Sequence, residues 1–340
     1  MKFDLLQSEQ DFFLADVCPS IGSVTFFKGV PPIEYLKRRT EAIVTANPWL
    51  SSKHSKKGKD GSPPHMVYDP HNLPDLFQVL KGDLYTQLNK KSTYPEICKA
   101  AENLLVKKRA EERDEDKGSL LISLITKDDA TEHDKFALVV SLSHVIGDGH
   151  TFYEIHNMLS SNAKVYSLDP IRPPEFPEQE KELMGQEHKG IADFAIMLRA
   201  IFGLVKLKSW SGNLKTEAYF VDERHIAEAK TSKCNLDGVD FISTNDILTS
   251  WFFSFPKVKL AAMAINLRSH ANILTENHAG NYENFVLYQP GDYENPARIR
   301  QSVQNLKPKN SEFPSFWTRC MKKPYAVTTN WSTFDKCVND

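Results

Sequence analysis

Three observations predict a mixed α/β (α+β) fold in two halves. Residues 119–126 and 136–142 are apolar-rich runs of strand length, whereas residues 34–46 carry apolar side chains at helical spacing. The chain has 340 residues, enough to build two cores of ordinary size. Between the halves, residues 169–182 (DPIRPPEFPEQEKE) concentrate prolines and acids, a composition that reads as an extended crossover. The expected division is a first domain over 1–168, a crossover over 169–190 and a second domain over 191–340.

Taken in order, the helix at 34–46 is expected because Tyr35, Leu36, Ala42, Ile43 and Ala46 fall largely on one side. The basic stretch 53–60 and the charged run 107–117 read as solvated loops or helix ends. After the strands at 119–126 and 136–142 comes a glycine-rich turn, then a helix over 151–159. In the second half, residues 216–221, 258–265 and 285–288 read as strands. The most apolar window, 191–205, is shorter than the roughly 20 residues a membrane span needs and contains Asp193 and Arg199. A buried or amphipathic helix is expected there instead.

Composition narrows the function. Hydrophobic residues make up 41% of the chain and charged residues 25%, as in ordinary globular proteins. A formal net charge of −2 argues against general nucleic-acid binding, which needs a basic excess. The cysteines (Cys18, Cys98, Cys234, Cys320, Cys337) lack Cys-x-x-Cys spacing, so neither a metal site nor a disulfide framework is expected. Met1 is followed by Lys2-Phe3-Asp4 rather than by an apolar leader, which points to a cytoplasmic setting. The helical zinc-protease pattern, the phosphate-binding loop and the serine-hydrolase elbow are all missing from the sequence.

One segment carries chemistry: Ser143-His144-Val145-Ile146-Gly147-Asp148-Gly149. A His-x-x-x-Asp-Gly pattern is expected about 0.03 times by chance in a chain of this composition, so its position at the end of a strand carries weight. An imidazole, with its ordinary pKa of about 6.5, can take and return a proton near neutral pH. Gly149 follows where a side chain would crowd the turn or the approach of a substrate.

The segment resembles the His-x-x-x-Asp-Gly motif of the acyl-CoA-dependent acyltransferase superfamily, which includes chloramphenicol acetyltransferase, BAHD acyltransferases and peptide-synthetase condensation domains. Four more stretches are similar to that superfamily, in the same order. Residues 33–50 (IEYLKRRTEAIVTANPWL) resemble its first long helix with the Asn-Pro turn, and residues 241–252 (FISTNDILTSWF) resemble the helix start of its second half. Residues 264–282 (AINLRSHANILTENHAGNY) resemble its arginine motif and the Gly-Asn turn that follows, and residues 327–334 (VTTNWSTF) its tryptophan-containing strand. Departures are visible too: Asn266-Leu267 precedes Arg268 where Asp-Gly is usual, and the Asp-Phe-Gly-Trp-Gly signature is missing.

The resemblance implies two chloramphenicol acetyltransferase-like mixed-sheet sandwiches, the second shortened at its C-terminus, with the active site in a channel between them. It implies His144 as general base, with no covalent intermediate, and Asp148 turned away from substrate to pair with Arg268. Thr333, and secondarily Ser332, are the expected oxyanion donors after Trp331; Gly280 and Asn281 are expected in a turn near the coenzyme. Acyl-CoA is the implied co-substrate, with no permanently bound cofactor and no metal. A small-molecule or lipid-like acceptor bearing a hydroxyl or amine is the implied partner, and the chain is expected to act as a monomer. Two alternatives stay open: a non-catalytic binding or scaffold member of the same fold, and a condensation-type domain using a carrier-protein thioester.

Overall fold

In the computed structural model the first strands and helices are β1 (Lys2–Asp4), α1 (Gln7–Gln10), β2 (Ile21–Lys28), α2 (Ile33–Ala46), β3 (Lys53–His54), β4 (His65–Val67) and β5 (Phe77–Leu80). There follow α3 (Asp83–Gln87), α4 (Tyr94–Ala101), β6 (Leu120–Ile125), β7 (Lys135–Leu142) and α5 (Gly149–Asn157). The structure describes residues 1–11, 13–55, 63–88, 91–108, 118–127, 131, 134–185, 195, 198–199, 217, 219–233, 238–255, 257–308, 313–321 and 323–331.

The principal sheet has the order β2-β7-β6-β5, with β5 parallel to β6 and the other pairs antiparallel. β7 is central and is buried from Phe136 to Leu142, as expected of a strand with no polar alternation. Its two faces serve two layers, because strand side chains alternate. Ala137 and Val139 pack with Ile125, Leu88, Ala101 and Leu104 beneath α3 and α4. Phe136 and Leu138 turn the other way, toward Tyr35 and Leu36 of α2 and Leu159 after α5. A smaller sheet, β1-β4-β3, is antiparallel throughout.

The second set comprises α6 (Phe176–Met184), α7 (Glu223–Lys233), α8 (Thr244–Ser254), β8 (Leu260–Asn266), β9 (Glu283–Tyr288), α9 (Pro296–Asn305), α10 (Phe316–Met321) and β10 (Tyr325–Thr328). Its sheet runs β10-β8-β9, with β10 parallel and β9 antiparallel to β8. α8 begins at a reciprocal cap: Ser243 Oγ accepts the Asp246 N–H at 3.2 Å, and Asp246 accepts the Ser243 N–H at 2.7 Å. Arg300 of α9 closes on the same carboxylate at 2.6 Å, beside the small core of Val239, Ile242, Ile247 and Ala297.

The described residues cluster into two units, Met1–Pro173 with Thr275–Asn281, and Pro174–Leu274 with Tyr282–Trp331. The mixed α/β class is as expected, and so are the helix at 34–46 and the strands at 119–126, 136–142, 258–265 and 285–288, within two residues at each end.

Four expectations change. The stretch 169–182 is extended only in its first part, and α6 starts at Phe176, because Pro177 sits in the first turn, where its missing N–H costs nothing. Residues 217 and 219–221 are not in a strand; Tyr219, Phe220 and Val221 are exposed, so their alternation does not serve a buried face. Lys53–His54, read as loop, forms a short strand against β4. The strand near Trp331 ends at Thr328, before the tryptophan. Most of the apolar window 191–205 and of the run 107–117 lies outside the described residues. Among the described residues no helix is long and apolar enough to cross a membrane.

Candidate active site

The end of β7 sets the site. Pairing stops at Leu142, opposite both Ile21 and Leu120, and the chain turns at Ser143, whose carbonyl accepts the Ile146 N–H at 3.2 Å. Gly147 makes the turn passable: a Cβ there would lie 2.6 Å from Cγ2 and 2.7 Å from Cβ of Thr151. The crowding expected at Gly149 thus falls, in part, two residues earlier. Gly149 itself is buried as the first residue of α5.

Asp148 is the N-cap of α5. Its Oδ1 accepts the Thr151 N–H at 3.0 Å and lies 3.1 Å from the Thr151 hydroxyl. Such a carboxylate satisfies an orphan helix donor and favours the positive end of the helix dipole. Its own N–H donates to Gly280 O at 3.2 Å, and the Gly280 N–H returns a bond to Thr151 Oγ1 at 3.1 Å. Gly280 has φ of 152°, a conformation that residues with side chains seldom take. The histidine turn and the Gly-Asn turn are therefore interlocked.

Segment Thr275–Asn281 is fixed along its length. Asp169 donates its N–H to Asn277 O and accepts the Ala279 N–H, both at 2.8 Å. His150, buried on α5, lies 2.9 Å from Glu276 O and 3.5 Å from the Glu276 carboxylate. His156 is also buried and packs against the rings of Phe152 and Tyr153.

His144 is half-buried. Its Nδ1 lies 3.1 Å from Asn281 Oδ1. Asn281 Nδ2 donates to His144 O at 2.8 Å and to Glu9 Oε1 at 3.1 Å. Glu9, wholly buried at 0% exposure, is held by Arg172 through Nε at 3.0 Å and Nη2 at 2.8 Å. Among the described residues no hydrogen bond reaches His144 Nε2. Glu9 and Arg172 went unnoticed in the sequence. Arg172 lies within the proline-rich stretch, and nothing local to either residue marks it as a neighbour of His144.

Arg268 and Trp331 belong to the second unit. Arg268 is buried, its guanidinium 4.9 Å above the Tyr282 ring and its Nη1 3.1 Å from Asn266 Oδ1. Asn266, which stands where the related motif has aspartate, thus supports the arginine directly. Trp331 is half-buried and donates its indole N–H to Thr329 Oγ1 at 2.8 Å. Ser332 and Thr333 lie outside the described residues. No group of three metal-ligating side chains occurs among the described residues.

No protein-family profile matches the sequence, and no curated protein matches it. Solved structures do match in fold. TRI101 of F. sporotrichioides, crystallised with coenzyme A and T-2, is 14% identical with a TM-score of 0.51, over 89% of this chain and 71% of that one. Vinorine synthase is 11% identical with a TM-score of 0.53, over 97% and 79%. The first condensation domain of the CDA synthetase is 14% identical with a TM-score of 0.54, over 90% and 74%. The length over which these structures superpose shows that the chain has the fold of the chloramphenicol acetyltransferase-like and BAHD acyltransferases.

Proposed function

We propose that the protein transfers an acyl group from an acyl-CoA thioester to a hydroxyl or amine acceptor, with His144 as general base. The observation that carries this reading is His144 itself: half-buried at a strand end, with Nδ1 engaged by Asn281 and Nε2 left to act. In the forward step Nε2 takes the proton of the acceptor as its oxygen or nitrogen attacks the thioester carbonyl. The tetrahedral intermediate then expels the thiolate, the C–S bond breaks, and the imidazolium returns the proton to sulfur. Products are the ester or amide and free coenzyme A, and no enzyme-bound acyl group forms.

Asp148 acts on geometry rather than on substrate, since its carboxylate caps α5. From the motif resemblance we propose Arg268 as its counter-charge, Thr333 with Ser332 as oxyanion donors, and Gly280 as part of the coenzyme-facing turn. The proposed acceptor is a small or lipid-like molecule, with the chain acting as a monomer. Free thiols at Cys98 and Cys320 fit a reducing cytoplasm.

Thiol release from acyl-CoA, followed colorimetrically across a panel of alcohols and amines, tests the reading. His144→Ala is expected to lower turnover by about 10²-fold or more while leaving the far-ultraviolet spectrum and unfolding midpoint in place. Unchanged turnover in that variant would remove the mechanism. Release from a carrier-protein thioester but not from acyl-CoA would move the protein to condensation-type chemistry, which the match to a condensation domain keeps in view.

A further inference from the structure

The contacts behind His144 give a role to Glu9, which no motif names, through Asn281 of the Gly-Asn turn. Glu9 Oε1 accepts the Asn281 backbone N–H at 2.9 Å, the Asn281 side-chain amide at 3.1 Å and Arg172 Nη2 at 2.8 Å. Its Oε2 accepts the Leu6 N–H at 2.8 Å and Arg172 Nε at 3.0 Å. Arg172 in turn ties down the turn backbone, donating through Nη2 to Ile146 O at 3.1 Å and through Nη1 to Ala279 O at 3.0 Å. The carboxylate is thus saturated with donors and charge-paired, the condition under which a buried charge is tolerated.

This arrangement fixes the orientation of the Asn281 amide by chemistry alone. The end nearest Glu9 Oε1 and His144 O meets only acceptors, so it must be the NH2 group. The opposite end, Oδ1, can only accept, and it faces His144 Nδ1 at 3.1 Å. A neutral imidazole in that position must carry its proton on Nδ1, which leaves the lone pair on Nε2.

We infer that Glu9 and Asn281 are positioning residues which, through the chain Glu9–Asn281–His144, hold the imidazole as its Nδ1–H tautomer with Nε2 as the base. The inference rests on the acyl-transfer reading only for its kinetic consequence. It makes the N-terminal segment around α1 part of the apparatus, although Glu9 is 272 residues from Asn281 in sequence. Glu9 does not touch the ring, so it acts by fixing geometry rather than by stabilising an imidazolium directly.

Nitrogen NMR of protein labelled with ¹⁵N-histidine reads the tautomer without any substrate, with His144→Ala identifying the His144 signals. The expected wild-type spectrum shows a protonated Nδ1 and an unprotonated Nε2 in the neutral ring. In Asn281→Ala both nitrogens should move to averaged shifts, and kcat should fall about 10- to 100-fold with KM for acyl-CoA little changed, a portion of the usual general-base contribution. Glu9→Gln leaves Arg172 buried without its partner and risks misfolding, so Glu9→Gln combined with Arg172→Met removes both charges together; it should fold and still lose the single tautomer.

A wild-type His144 protonated on Nε2, or an unchanged tautomer in Asn281→Ala, overturns the inference. An unchanged tautomer in the double variant alone overturns the part assigned to Glu9. If the wild-type tautomer is as inferred and is lost in the variants, yet no thiol is released with any acceptor, positioning stands and acyl transfer falls.

Discussion

At the residue scale, Asp148 stands where two roles separate cleanly. As an N-cap it needs only an acceptor atom, which asparagine supplies equally well; as a partner for Arg268 it needs its charge. Asp148→Asn should therefore cost little if capping is the whole role, and roughly 3–5 kcal/mol if a buried arginine is left unpaired. Urea unfolding of Asp148→Asn, Arg268→Gln and the double variant distinguishes these, because true partners show a coupling energy and independent residues do not. Gly147 gives a sharper expectation. Thr151 is held by its bonds to Asp148 and Gly280, so it cannot easily yield to a Cβ placed 2.6 Å away. Gly147→Ala should lose about 1–3 kcal/mol of stability, read from the same denaturant midpoints, and should lower turnover by displacing His144.

Strand β7 is the element on which the site depends, since His144 follows it by two residues. Its buried side chains hold the strand in register between β2 and β6. Leu138, 2% exposed and packed toward α2, is the most direct probe of that support. Leu138→Ala should destabilise by about 2–5 kcal/mol without touching any group of the site. At moderate temperature its kcat per folded molecule should match wild type; a lower value would mean the strand transmits strain to the histidine. Just before β7, Asp134 has its carboxyl lowered to about 2 by hydrogen bonds from Lys127 and Thr131. A depressed folded-state pKa stabilises the protein above the unfolded value and is lost as pH falls toward 2. Asp134→Asn should flatten the acid limb of the stability curve between about pH 4 and 2, and only slightly, because the pair faces water.

For the whole molecule, the useful expectation concerns what binds. A protein that binds coenzyme A only when folded should be stabilised by about 2.7 kcal/mol at 100 times the dissociation constant, seen as a rise in melting temperature. Duplex DNA should produce no shift, given a net charge of −2. A flat response to coenzyme A would favour the non-catalytic or carrier-dependent alternatives. The sequence by itself determined the mixed class, the central strands and the His144 to Gly149 turn, because apolar runs, proline and glycine positions act between near neighbours in the chain. It misread α6 for the same reason: proline argues against helix everywhere except the first turn, and only packing reveals where that turn begins. Tertiary structure alone decided that Glu9, Arg172 and Asn281 gather behind the imidazole. Those contacts join residues 163, 272 and 137 positions apart, and hydrogen bonds over such distances leave no periodicity or spacing for a sequence to display.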